Sequence, residues 1–302
     1  MHIEGGISTK LASALVNDQE TLVWVTDQGT FRVADMARAE GISGNFETID
    51  AVLADGEAMA SWHRWSQKVL SGGLEPVNPS RWLAPVPRPS KIVCVGLNYR
   101  PHVKESGQAL PTHPVLFNKF LTSVCGTGDT VRPPADTTQL DYEAELVIVM
   151  GRRAKNVSEA HALDYVFGYC NGNDISARDL QFRSGQWLLG KACDGFGPMG
   201  PYLVTADEIP DPNNLDIRGF RNDQLVQHSN TREMIFSCRE LISYISRYMT
   251  LEPGDVIFTG TPEGVIQGQP PEEQRWLTAG ETLAVEIEGL GRLTNVIGAP
   301  EG

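Results

Sequence analysis

Beyond Lys91 the chain is cut into short β-branched runs, KIVCVGL, ELVIVMG, DVIFTG and TLAVEIEG, each bounded by Gly, Pro or Asp. A chain punctuated this way builds strands, not long helices. Helical spacing is confined to Val157 to Val166, Ala177 to Arg183 and Ser237 to Tyr248, the last opened by Ser237 with Glu240 three residues on, the order of a capping box. A smaller region precedes these runs. Thr21 to Thr26 and Thr30 to Val33 alternate around Asp27-Gln28-Gly29 as a hairpin, and Ile49 to Leu70 repeats apolar residues at three- and four-residue spacing, which predicts a helix. Ser71 to Ser90 then carries five prolines, which reads as a connection. The expected fold class is a mixed, β-rich α+β protein: a small N-terminal α+β domain over 1–75, a Pro-rich linker over 76–90 and a large C-terminal domain over 91–302.

With 38 acidic against 25 basic residues the formal charge is −13, so the average field repels phosphate backbones and anionic lipid surfaces. No nucleic-acid or membrane partner is expected. Cys94, Cys125, Cys170, Cys193 and Cys238 are an odd number with no CxxC pair, which excludes a zinc ribbon or thioredoxin site and fits reduced thiols. The opening MHIEGGISTK lacks the order of a secretion signal, and no apolar stretch approaches the roughly 20 residues needed to span a bilayer. The expectation is a soluble, cytoplasmic protein. Two glycine-bearing segments, Gly195 to Gly200 and Gly289 to Gly291, lack the lysine and helix start of a phosphate loop and read as turns.

Chemistry enters at LDYEAELVIVM, Leu140 to Met150, where period-2 alternation sends Glu143, Glu145, Val147 and Val149 to one face. Two like charges that share a face running into an apolar one repel unless a cation or a shared proton relieves them. Asp174, in GNDISARD after the strand-like YVFGYCN, is a candidate third carboxylate, although Asp in such a turn also caps its own backbone. Two Glu and an Asp are hard oxygen donors suited to Mg²⁺ or Mn²⁺, with Ca²⁺ as a non-native occupant. In NYRPHVKE, Pro101 suits a first helical turn and puts His102 and Glu105 on one face. A carboxylate orients the imidazole there, so that the pair can take a proton from water near neutral pH. His2, His63, His113, His161 and His228 have no reactive pattern around them.

Taken in order, GLNYRPHVKE, LDYEAELVIVMG, GYCNGNDISARDLQ, LLGKACDGFGPMGP, LEPGDVIFTGTPEGV and GETLAVEIEGLGRLTNVI resemble the fumarylacetoacetate hydrolase superfamily over about Pro87 to Ile297. The resemblance implies the family's mixed β-sandwich roll, usually a homodimer, around a divalent ion held by Glu143, Glu145 and Asp174. It makes His102 and Glu105 the dyad that activates water, on a segment that orders over the ligand. Lys191 becomes the lysine that approaches the substrate oxygen at the ion. Arg178, Gln181 and Thr261 become substrate contacts, and Trp187, Phe182 and Phe196 could line the acyl pocket. The substrate implied is a small 2-oxo acid converted through an enolate, most directly by carbon–carbon hydrolysis of an acylpyruvate or fumarylacetoacetate type of compound. Decarboxylation of oxaloacetate and tautomerisation or isomerisation of 2-oxo-dicarboxylates are the alternatives within the family, and a metal-binding structural module is the alternative outside enzymology.

Overall fold

The computed structural model describes residues 9–55 and 74–301. Its central strand, Ala144–Met150, is buried at every position. It is flanked antiparallel by Val166–Asn173 on one side and by Val256–Phe258 on the other. From Val256–Phe258 the sheet continues through the parallel strand Ile92–Gly96 to Val115–Lys119. From Val166–Asn173 it continues through Gly197–Thr205 to the N-terminal strands Lys10–Val16, Gln19–Thr26 and Gly29–Arg32. A five-stranded sheet, ordered Gln224–Asn230, Asp216–Arg221, Thr282–Ile287, Arg292–Ile297 and Thr130–Val131, packs on this one. The β-rich α+β class is therefore as expected.

Alternation along the central strand separates two apolar layers instead of a wet and a dry face. Val147 and Val149 pack with Trp24, Phe46 and Phe258, whereas Leu146, Ile148 and Met150 pack with Ile217, Val285 and the inner side of the Cys238–Tyr248 helix. That helix opens as expected, with the Ser237 hydroxyl and the Glu240 carboxylate each capping the other's backbone N–H. The N-terminal strands extend the large sheet directly, with Lys10 opposite Val204 and Leu11 opposite Leu203.

Three local expectations are corrected. Glu159–Tyr165 is a 3₁₀ helix, not an α-helix. Val33 does not end the hairpin but opens a short helix, Val33–Ala39. Residues Gly197 to Gly200 are not a turn but the start of the strand Gly197–Thr205, whose density of Gly and Pro hid its extended backbone. The predicted Ile49 to Leu70 helix is described as Ile49–Ala54, and its predicted stretch over 56–70 lies outside the described residues.

Gly172 sits directly opposite Glu145, and a Cβ there would lie 2.5 Å from Val147 and 2.6 Å from Phe258. Glycine leaves room for the apolar layer under the carboxylates. Gly172→Ala is expected to destabilise the fold by about 1–3 kcal/mol through overpacking, read as a shift of the denaturant midpoint; an unchanged midpoint would show that this layer is loosely packed.

Candidate active site

Antiparallel register brings the three candidate metal ligands together. Ala144 lies opposite Asn173, so the residues just outside that pair, Glu143 and Asp174, meet, and the Asp174 amide donates to the Glu143 carbonyl at 2.9 Å. The chain leaves strand geometry at Tyr142 and Glu143, and the Asn173 side chain holds this break by accepting from the Glu143 amide at 3.0 Å. One carboxylate oxygen from each of Glu143, Glu145 and Asp174 lies within 4.8 Å of the others, and all three residues are buried.

Cations offset two of these charges. Lys191 Nζ lies 2.8 Å from Glu143 and 3.0 Å from Asp174. Arg178 Nη2 lies 2.7 Å from Glu143, and Lys119 Nζ lies 2.6 Å from Asp174. Burial would raise the Glu143 carboxyl, but Lys191 and Arg178 outweigh it and hold the group at about 2. Burial likewise opposes the Lys191 charge, yet Asp174 and Glu143 more than compensate, so it stays an ammonium with its pKa above the usual value. Glu145 differs. Among the described residues its one hydrogen bond comes from the Gly260 amide at 2.7 Å, and no cation pairs with it. Burial, then Asp174 and Glu143, push its carboxyl well above the usual range. A buried carboxylate trio in which one member has no cationic partner fits a small hard cation.

The helix Arg100–Glu105 begins with Pro101 in its first turn, as its sequence suggests. His102 Nδ1 donates to Glu105 at 2.8 Å, leaving the other ring nitrogen for proton transfer. Glu105 also accepts from the Gly264 amide at 3.0 Å, and Gly268 has no side chain where the carboxylate rests: a Cβ there would lie 2.5 Å from Glu105 Cδ. The root of this helix is fixed by Asn98, whose side chain donates to the Thr259 carbonyl at 2.7 Å and accepts from the Phe236 amide at 2.8 Å.

His102, Glu105, Glu143, Arg178, Gln181, Lys191 and Thr261 line one cavity of about 730 Å³, together with Phe182 and Trp187. Phe196 does not reach it and is packed in the core around Leu140 and Ile175. His113, His161 and His228 are exposed, and His2 and His63 lie outside the described residues. Burial pushes the thiols of Cys125, Cys170 and Cys238 up to about 12, so none is a ready nucleophile.

Three residues of the site escape sequence reasoning. Lys119 ends the Val115–Lys119 strand and is wholly inside, donating to the carbonyls of Ile175 and Lys191 as well as facing Asp174. Gln227 accepts from the Ala144 amide and donates to Thr261 Oγ1, each at 2.9 Å, tying the Gly260-Thr261-Pro262 segment to the carboxylate strand. Asp141 is the hub: one oxygen accepts from the Ile266 amide at 2.9 Å, and the other accepts from Arg178 Nε at 2.9 Å and the Gln267 amide at 3.1 Å. Its position two residues before Glu143 was the available signal.

Residues 91–298 match the sequence profile of the fumarylacetoacetate (FAA) hydrolase C-terminal family. The chain belongs to the fumarylacetoacetate hydrolase family. Among similar fumarylacetoacetate hydrolase relatives, the fumarylacetoacetate hydrolase domain-containing protein 2 homolog of Dictyostelium discoideum is 43% identical over 79% of this chain and 82% of its own. A protein of Xenopus laevis named oxaloacetate tautomerase fahd2, mitochondrial, is 46% identical over 71% of this chain and 67% of its own. The crystal structure of a putative HpcE protein from Mycobacterium smegmatis superposes with a TM-score of 0.82 at 36% identity, covering 97% of this chain and 100% of that one. Among the described residues no helix is long and apolar enough to cross a membrane.

Replacing Asp141 by Asn removes a buried charge that Arg178 and the backbone amides of Tyr142, Ile266 and Gln267 share. Asp141→Asn is expected to cost about 3 kcal/mol of stability, whereas Arg183→Ala, which breaks only the exposed pair with Asp136, should stay within about 0.5 kcal/mol. Equal denaturation midpoints for the two variants would remove Asp141 from the centre of the site.

Proposed function

We propose that this member of the family is a Mg²⁺- or Mn²⁺-dependent enzyme of 2-oxo acids that works through an enolate, and that its reaction is hydrolysis of a carbon–carbon bond in an acylpyruvate-type 2,4-dioxo acid. The observation that carries this reading is Glu145: a buried carboxylate without a cationic partner among the described residues, clustered with Asp174 and with Glu143, which lines the cavity that an oriented His–Glu pair also lines. Glu143, Glu145 and Asp174 would hold the ion. When bound, it supplies a Lewis acid for the carboxylate and keto oxygens of a 2-oxo acid.

The remaining work falls to the chain's own side chains. Arg178 with Gln181, hydrogen-bonded at 3.0 Å, and Thr261 orient the oxo acid. The Lys191 ammonium offsets negative charge as it grows on the substrate oxygen. His102, aligned by Glu105, takes a proton from water. The resulting hydroxide adds to the C4 carbonyl, the C3–C4 bond breaks, and its electron pair stays on the oxo acid as the enolate. Proton return to C3 releases pyruvate, and the acyl part leaves as a carboxylate. We include in this proposal a homodimer and a reducing compartment, the cytoplasm. Exposed Phe120, Leu121, Leu188 and Leu189 support the first, and five free thiols support the second.

A second reading, tautomerisation of oxaloacetate, is favoured by the name of the Xenopus relative. It uses the same residues, with His102 moving a proton at C3 and no water adding.

Stripping divalent ions with a chelator should abolish pyruvate release from acetylpyruvate, and Mg²⁺ should restore it. His102→Ala should slow it by about 10²- to 10⁴-fold. Interconversion of enol and keto oxaloacetate with no pyruvate from acetylpyruvate would replace hydrolysis by the second reading, and pyruvate release indifferent to both metal and His102 would contradict both.

A further inference from the structure

The cavity grows outward from the carboxylates along a ladder of rings. The Lys191 ammonium lies 5.2 Å from the centroid of Phe117, and Phe117 meets Trp187 edge-on at 5.4 Å between centroids. Trp187 is in turn laid on Gly96, where an added Cβ would sit 2.5 Å from the indole ring. Its plane is thus set from two sides. Val265 and the rim at 267–271 also line this space. That rim is braced by Gln274, which also lines the cavity and whose amide donates to the carbonyls of Gln267 and Gln269 at 3.1 and 3.0 Å.

Charge is distributed unevenly along the same path. Among the described residues that line the cavity, Lys and Arg are represented by Lys191 and Arg178 alone, and both are committed to Asp141, Glu143 and Asp174 at the inner end. The rest of the lining offers apolar side chains, rings, prolines, hydroxyls and neutral amides, and its one further carboxylate, Glu105, is held by His102. A second carboxylate on the substrate would leave water there for a place whose lining offers no further lysine or arginine, the histidine being taken up by Glu105, which is costly. A flat neutral group would instead gain a face of Trp187. Size agrees: about 730 Å³ lies well within the range of sites that enclose drug-sized ligands, far more than a four-carbon oxo acid fills.

We propose that Trp187, seated on Gly96 and Phe117, is the specificity residue of this site, and that the substrate carries beyond its 2-oxo acid head a neutral, flat acyl group, a second carboxylate at that end being selected against. The inference rests on the 2-oxo acid reading above, and its test therefore separates binding of the head from preference for the tail.

The direct measurement is calorimetry on the Mg²⁺-loaded protein with unreactive mimics of the head: oxamate, N-phenyloxamate and N-(carboxymethyl)oxamate. The phenyl compound should bind at least about tenfold more tightly than either of the others, and Trp187→Ala should erase most of that advantage while Trp187→Phe keeps part of it. The same order should appear in kcat/KM, with benzoylpyruvate above fumarylpyruvate, and Gly96→Ala, which displaces the indole, should lower the ratio between them. Equal or tighter binding of the carboxymethyl compound, or a phenyl advantage untouched in Trp187→Ala, overturns the inference and leaves the 2-oxo acid site standing. Failure of all three oxamates to bind overturns the oxo acid reading, and this inference with it.

Discussion

Four buried carboxylates, Asp141, Glu143, Glu145 and Asp174, face three buried cations, Lys119, Lys191 and Arg178, and the imbalance falls on one side chain. Isolated buried ions cost several kcal/mol each, so a fold tolerates such a group only when nearly every charge is matched. Matching is done by geometry here. Arg178 bridges Asp141 and Glu143, Lys191 bridges Glu143 and Asp174, and Lys119 closes on Asp174. Among the described residues Glu145, 1% exposed, is left with a single backbone donor. On the proposed reading a divalent cation completes this group, beside a strand with apolar layers on both sides.

That charge group is also tied to the helix Arg100–Glu105. Asp141 holds Arg178 with one oxygen and the backbone of 266–267 with both, and the neighbouring Gly264 and Gly268 form the seat of Glu105. The arginine that would orient an oxo acid and the carboxylate that aligns His102 therefore share one anchor. Such shared anchoring is how a fold holds reacting groups in register without relying on mobile loops.

Much of this was legible in order, little of it in depth. Alternation placed Glu143 and Glu145 on one side even though the chain breaks out of strand geometry between Asp141 and Ala144, because a single irregular step at Tyr142 and Glu143 leaves their neighbours in phase. The HxxE pair was legible from Pro101 and helical spacing. What alternation cannot show is register. That Asp174 meets Glu143 follows from the pairing of Ala144 with Asn173, a long-range choice invisible in either segment alone. Lys119 reaches the trio from a strand separated from Ala144–Met150 by two others, and no local pattern distinguishes it from a surface lysine. The strand Gly197–Thr205 was misread because glycine and proline, strong turn signals in isolation, are tolerated where neighbouring strands supply the pairing.

Direct titration of Mn²⁺, followed by the loss of its free electron paramagnetic resonance signal, bears most closely on the claim that the carboxylate trio is an ion site. The wild-type chain should take up a single Mn²⁺, more tightly with oxalate present, and Glu145→Gln should lose that uptake while remaining folded by circular dichroism. Uptake undiminished in Glu145→Gln, or none in the wild-type protein with oxalate at hand, would contradict it.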